Sequence, residues 1–368
     1  MTVLTVVGAR PQFVKLAPVS KLLRSWSEEV LLHTGQHHDD KMSKSFFSEL
    51  GLPEPDINLG VGGGTHAEQT AKMLVGVERA IERVKPEMVI VYGDTNSTLA
   101  GALAAAKAGA PVAHVEAGMR SGRRDMAEEI NRILVDHVSA LLLCPTKTAV
   151  DLLAAEGVVE GVHLVGDVMV DALESIAPMI SRGRAAAAGA PSGDYYAATL
   201  HRAENVDDPD RLRAAMELLR LAEAPVVFPM HPRTRKRLRD FGVEPPANVK
   251  PIDPLGYVDM AAVAAHASCL LTDSGGLQKE SVLLGTRCVT LRDETEWPET
   301  LAGGWNTLVG LDRERLSAAL VNKPDGSPSG AFRPGAARRV DSALRALSDH
   351  VAETEPPARR PGTADQRI

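Results

Sequence analysis

The chain has 368 residues, of which 44% are hydrophobic and 24% charged, with a formal net charge of -7. That length is long for one core and suits two domains of ordinary globular composition. The acidic balance provides no broad basic surface for phosphates, which argues against a nucleic-acid partner, and no apolar run could span a bilayer. Small anionic ligands stay open wherever basic residues converge.

The opening "MTVLTVVGAR" runs directly into a strand pattern, which predicts no signal peptide, no membrane partner and a cytoplasmic protein. Short apolar runs then recur as "VLTVVG" (3–8), "EVLLHT" (29–34), "MVIVYG" (88–93), "PVAHVE" (111–116), "ALLLCP" (140–145) and "VHLVGD" (162–167). Helical periodicity fills the gaps, as over 67–84 and 128–138. Buried strands alternating with helices predict a parallel, doubly wound sheet. The stretch "SRGRAAAAGAPSGD" (181–194) has no periodicity and reads as a linker. Alternation resumes after it with "YYAATL", "PVVFPM", "VKPI", "SCLLT", "TRCVTL" and "NTLVG". The expected fold is α/β, with two Rossmann-like domains at 1–170 and 171–352 and a polar, proline-bearing, disordered tail at 353–368. Cys144, Cys269 and Cys288 all lie in apolar strand-like runs, so they are expected as buried packing residues and not as a disulfide or metal set.

In such sheets ligands bind beyond the carboxyl ends of the strands. The polar residues gather there: Gly8, Arg10 and Lys15 after the first strand, Asp94 after the third, and His114 and Glu116 at the fourth. In the second half His201, Arg202, His231, Asp273, Ser274 and Arg292 hold the same positions. Stability alone does not require so many ionisable groups at one rim, so the rim is read as a site. Within "LLTDSGGLQKESVLLG" (270–285) two glycines and a helix N-terminus could cradle an anion, or simply make a tight turn followed by a solvated Glu280.

Two familiar patterns are set aside. The third glycine of a G-x-G-x-x-G in "GVGGGT" (60–65) would fall on Thr65, so the segment is expected as a loop before a helix. In "HTGQHHDD", His33 belongs to a strand and His37 and His38 to a loop, a spacing that does not predict a metal.

Taken together, "GARPQFVKLAPV", "TGQHHDDKM", "VYGDTNSTLAGALAA", "HVEAGMRSG", "EEINR", "LHRAENVDDPDRL", "FPMHPRTRKRL", "DPLGY", "LTDSGGLQKES" and "LRDETEWPE" run collinearly over roughly residues 3 to 310. This set resembles the non-hydrolysing UDP-N-acetylglucosamine 2-epimerases. The resemblance implies the two-domain, GT-B type fold of many nucleotide-sugar glycosyltransferases, with the active site in the interdomain cleft. It also implies a homodimer, a UDP-sugar substrate and no metal or cofactor. Its catalytic positions fall on Asp94, Glu116, Glu128, His201 and Lys15. Its UDP-binding positions fall on Arg10, Arg202, His231, Tyr257, Ser274, Gly275, Gly276, Glu280 and Arg292. Among these, Ser274–Gly276 would hold the diphosphate, Glu280 the ribose hydroxyls, and Tyr257 would wall the uracil. From the residues alone, Glu128 could be a helix N-terminal acid favoured by the macrodipole, and His201 a hydrogen-bonded core histidine.

The chemistry can be argued independently. The hydrogen on C2 of a 2-acetamido sugar is not next to a carbonyl, so its direct removal leaves an unstabilised carbanion. Expelling UDP from C1 builds positive character in the ring and makes that proton easier to lose. A 2-acetamidoglucal forms beside UDP, and protonation from the other face with return of UDP inverts C2. Such a route needs carboxylates around the ring and cations on the diphosphate.

Two departures from the family pattern stand out. Ala127 replaces a usual proline before Glu128, and Asp39 and Lys72 stand where some bacterial members have a regulatory Gln-His-x-Gln loop and arginine. Regulation by substrate is therefore not expected. "GARPQF" and "TEWPE" also resemble a sister group acting on UDP-2,3-diacetamido-2,3-dideoxyglucuronate, for which Arg123 or Arg124 could meet the uronate. A glycosyltransferase of the same fold is the rival from another class.

Overall fold

The computed structural model describes residues 1–36, 46–326, 330 and 332–354. Residues 37–45, which include His37, His38 and Asp39, and residues 355–368 of the expected tail lie outside the described residues.

Two parallel sheets form because the strands are almost continuous runs of buried apolar residues, covered by helices on both faces. The first sheet comprises β1 (Thr2–Val7), β2 (Glu28–His33), β3 (Ile57–Asn58), β4 (Met88–Tyr92), β5 (Val112–Val115), β6 (Leu141–Cys144) and β7 (Val162–Leu164). Its order is β3-β2-β1-β4-β5-β6-β7, so the winding reverses between β1 and β4, where Thr5 pairs with Ile90. The second sheet comprises β8 (Tyr196–Thr199), β9 (Val226–Pro229), β10 (Val249–Ile252), β11 (Cys269–Thr272), β12 (Cys288–Thr290) and β13 (Asn306–Leu308). Its order is β10-β9-β8-β11-β12-β13, with the reversal between β8 and β11, where Leu271 pairs with Ala198. At each reversal neighbouring connections leave to opposite faces and open a crevice beyond the strand ends. The two crevices supply the two walls of the site.

The structure departs from the sequence-based expectation in two segments. The edge strand β3 forms in a polar stretch, because pairing with β2 and the bond from Leu59 N–H to the His33 carbonyl (2.9 Å) do not require an apolar face. Part of the expected linker is a helix, Arg182–Ala187, capped by the Ser181 hydroxyl. At six residues it spans fewer than two turns, too few for a period to show. Ala185 and Ala190 are nonetheless buried in one cluster with Tyr195 and Val263.

A further departure is the last helix, Ala336–Thr354, which returns to the first sheet although the expected boundaries assign it to the 171–352 domain and the start of the tail. Ala336, Ala337, Val340 and Leu344 share a core with Val3, Val7 and Phe13, and the Trp26 indole donates to Asp341 at 2.7 Å. Cys144, Cys269 and Cys288 are each buried and unpaired. Among the described residues no helix is long and apolar enough to cross a membrane.

Candidate active site

The first wall begins at Gly8. A Cβ there would stand 2.0 Å from Thr34 Oγ1 and 2.2 Å from Ser97 Oγ, so only glycine lets β1 turn so close to its neighbours. Gln12, inside the following helix Arg10–Leu23, then locks the turn. Its carbonyl accepts from the Gly8 and Ala9 N–H groups at 2.7 and 2.9 Å, and its amide donates to the Tyr92 carbonyl at 2.9 Å. This fixes the ends of β1 and β4 side by side. Pro11 suits the first turn of the helix, where no N–H is needed. One turn further in, Lys15 is buried and reaches Glu116 at 2.5 Å.

Glu116 ends β5 at φ 73°, a left-handed conformation that a non-glycine residue adopts at a cost. Both its oxygens face ammonium groups, Lys15 on one side and Lys279 of the second half at 3.4 Å on the other. Lys279 is 1% exposed, also pairs with Asp167 at 2.5 Å, and lies over the Trp297 ring at 3.7 Å. Burial opposes ionisation of Glu116, but the two lysines outweigh it and hold its pKa well below the usual carboxylate range. Burial likewise works against charge on Lys15, yet Glu116, Asp94 and Asp167 hold it above the ordinary lysine value.

Asp94 follows β4 and Gly93, whose Cβ would stand 3.0 Å from Lys15 Nζ. The carboxylate accepts from Arg132 at 2.6 Å, and Asn131 donates to its backbone carbonyl at 2.9 Å. His114, fully buried, faces the Gly93 carbonyl and Asp136, each at 2.7 Å, and so ties the ends of β4 and β5 to the helix Ala127–Val138. That helix starts with two adjacent acids. Glu129 is buried and accepts from Ser121 N–H (2.9 Å), Gly122 N–H (2.8 Å) and Arg132 (2.8 Å). Glu128 is half-buried and has no hydrogen-bond partner among the described residues.

The second wall is organised by Asp273 at the end of β11. Its carboxylate accepts from the N–H groups of His201 and Arg202, each at 3.0 Å, and its Oδ1 lies 3.2 Å from His201 Nδ1. Burial and the nearby Arg202, Arg233 and Arg292 outweigh Asp273 and lower the His201 pKa. The His201 ring lies 5.8 Å from that of His231, which caps the helix Pro232–Phe241 through Nδ1. Ser274 caps the helix Gly275–Leu283, its hydroxyl accepting from Leu277 N–H at 3.5 Å. A Cβ on Gly275 would stand 3.5 Å from Arg202 Nη2 and 4.0 Å from Arg292 Nη1. The turn therefore presents free helix N–H groups beside two guanidinium groups, an arrangement made for an anion. Arg292 itself is gripped by Glu296 through two contacts of 3.0 Å.

Glu280, one turn into the same helix, is buried without a hydrogen-bond partner among the described residues. Burial pushes its pKa up to about 7, with Lys279 and Lys15 opposing and Asp167 adding. Tyr257 lies deeper than a wall residue needs to. It is buried, with its ring 6.4 Å from Phe46 and its hydroxyl raised in pKa by burial and by Glu280. Arg10 lies over the same Phe46 ring, 5.8 Å from its centroid.

The structure thus brings Lys15, Asp94 and Glu116 together on one wall, and His201, Arg202, His231, Ser274, Gly275 and Arg292 on the other. Sequence reasoning placed Asp273 at the rim without giving it a role, and it missed Arg132, Asp167, Lys279 and Glu296; together these hold the others in place. Spacing offered a partial signal: Glu296 lies four residues after Arg292, and Arg132 three after Glu129.

Comparison with known proteins identifies the family. The family model for UDP-N-acetylglucosamine 2-epimerase matches residues 21–327. The UDP-2,3-diacetamido-2,3-dideoxy-D-glucuronate 2-epimerase of Pseudomonas aeruginosa is 47% identical over 325 residues, 86% of this chain and 90% of that one. The UDP-N-acetylglucosamine 2-epimerase of Methanocaldococcus jannaschii is 42% identical over 329 residues, 86% of this chain and 90% of that one. A crystal structure of the M. jannaschii enzyme in complex with UDP-GlcNAc and UDP superposes with a TM-score of 0.89 at 39% identity, covering 95% of this chain and 100% of that one. The chain belongs to the UDP-N-acetylglucosamine 2-epimerase family.

Proposed function

We propose that this protein inverts C2 of a UDP-2-acetamido sugar without hydrolysing it, by expelling UDP to a 2-acetamidoglucal and adding it back. The observation that carries the reading is the opposition of two walls. One presents Glu116, Asp94 and Lys15, and the other presents a glycine turn flanked by Arg202 and Arg292. The Ser274–Gly276 turn and the two arginines receive the diphosphate, and stabilise the charge that grows on it as the C1–O bond breaks. Glu116, gripped by two ammonium groups, suits a fixed anion that stabilises positive character in the ring. Proton removal and return at C2 then fall to Asp94, Glu128 and His201. Glu280 accepts from the ribose hydroxyls, and His231, Tyr257 and Arg10 complete the nucleotide side. Elimination and return are redox-neutral, and basic side chains meet the diphosphate, so neither metal nor cofactor enters the scheme.

UDP-GlcNAc, converted to UDP-ManNAc, is the first substrate we assign. The diacetamido-glucuronate sugar is the second, favoured by the retained "TEWPE" segment in which Trp297 stacks on Lys279. Arg123 is occupied by Asp125, Glu204 and Glu294, which leaves the exposed Arg124 of the same loop as the candidate for a uronate. Incubating the protein with each UDP-sugar alone, and reading product stereochemistry by NMR, tests the scheme. Inversion at C2 in one of them is expected. No change in either sugar without an added acceptor would point instead to a glycosyltransferase.

A cytoplasmic homodimer is part of the same proposal. Ile130, Leu134 and Val138 recur every fourth residue on one helix and are 46%, 47% and 38% exposed, an apolar stripe that a second copy would cover.

A further inference from the structure

Glu296 is 4% exposed, lies in the loop after β12, and has no part in the scheme above. Its two oxygens are shared among three arginines. Arg292 reaches both at 3.0 Å, Arg132 approaches Oε1 at 3.6 Å, and Arg202 approaches the same oxygen at 3.9 Å. The Arg132 Nη2 that faces Glu296 is the nitrogen that donates to Asp94 at 2.6 Å. Arg132 belongs to the first wall and Glu296 to the second. The other Glu296 oxygen would lie 3.4 Å from a Cβ on Gly275, at the anion-binding turn itself.

A buried carboxylate facing arginines is stable only with full pairing, and a bare arginine cluster would serve diphosphate binding better. Glu296 therefore acts against UDP affinity, and its position shows what is gained. It competes with a diphosphate for Arg202 and Arg292, and it competes with Asp94 for Arg132. We propose that Glu296 is a positioning residue that couples occupancy of the diphosphate turn to the placement of Asp94, through Arg132. When a diphosphate takes up Arg202 and Arg292, Glu296 turns more fully to Arg132 and sets the grip on Asp94. The inference rests on the reading that Ser274–Gly276 binds the diphosphate and that Asp94 acts on the sugar.

The test is Glu296→Gln, which keeps the shape and removes the charge. UDP should bind more tightly by about 3- to 10-fold, because an opposing anion is gone. Yet kcat should fall by about 10- to 100-fold, the scale of a misplaced catalytic group. A role in stability alone would move the melting temperature without driving affinity and turnover in opposite directions. UDP affinity that weakens or stays the same, or an unchanged kcat, overturns the proposal. Glu296→Asp keeps the charge but withdraws it from Arg132. It should lose kcat without the gain in UDP affinity, and it serves if the Gln variant does not fold. The parent protein separates the two readings. If it neither binds UDP nor inverts a UDP-sugar, the underlying function fails. If it does both and Glu296→Gln matches it, only this inference fails.

Discussion

Glu280 carries the proposed nucleotide side at the scale of a single residue. Its carboxyl is buried at the edge of the nucleotide side, with its pKa pushed up to about 7 by burial. Because that value lies above the ordinary 4.5, folding favours the protonated form. The stability this contributes is complete below about pH 4.5 and is lost as pH rises through 7. Glu280→Gln, which cannot ionise, should match the parent near pH 4. Above pH 7 it should be more stable in urea, by up to about 3 kcal/mol. The same variant should bind UDP about 10-fold more weakly with kcat nearly unchanged, since a ribose contact serves ground and transition states alike. Unchanged UDP affinity would show that Glu280 is not the ribose acceptor, whereas equal stability at pH 8 would show only that burial does not raise its pKa. The identity of this residue was legible in the sequence through its motif. Its neighbour Lys279 was not, because nothing in "LQKES" tells that a lysine is 1% exposed and held by carboxylates more than 100 residues away in sequence.

The helix Ala127–Val138 places two adjacent acids with different surroundings in its first turn, and the proposed chemistry falls to only one of them. Glu129 bonds the Ser121–Gly122 backbone and Arg132, while the neighbouring Glu128 is half-buried without a partner among the described residues. Glu128→Gln should lower kcat by roughly 10²–10⁴ and leave the melting temperature in place. Glu129→Gln should instead destabilise the fold by about 1–3 kcal/mol, through lost charged hydrogen bonds. Its depressed pKa means that this stability is present above the ordinary 4.5 and disappears as pH falls through the lower folded value. Melting curves and turnover of the two variants, measured together, check the division; a reversed pattern would exchange the roles. Strands and long helices were legible because period and length suffice for them. The Arg182–Ala187 helix and β3 were not, since six residues are too few to show a helical period and an edge pairing needs no apolar face.

At the scale of the whole molecule, the halves meet through charge. Lys279 with Glu116, Arg132 with Glu296, and Arg123 with Glu204 all cross from one wall to the other. Two parallel sheets were foreseeable from the alternation of elements, but these cross-cleft pairs were not. Sequence distance hides them, and only the docking of the two crevices brings them together. The exposed stripe on Ile130, Leu134 and Val138 is the face proposed above for a second copy. Leu134→Glu should convert a dimer to a monomer in sedimentation, and a monomeric parent would remove the stripe from the account. The central claim is that C2 loses and regains its proton while UDP leaves C1 and returns. Turnover of the UDP-sugar in deuterated water, followed by NMR, tests it most directly. Deuterium should appear at C2 of both epimers, and retention of the original hydrogen through many turnovers would contradict the elimination route.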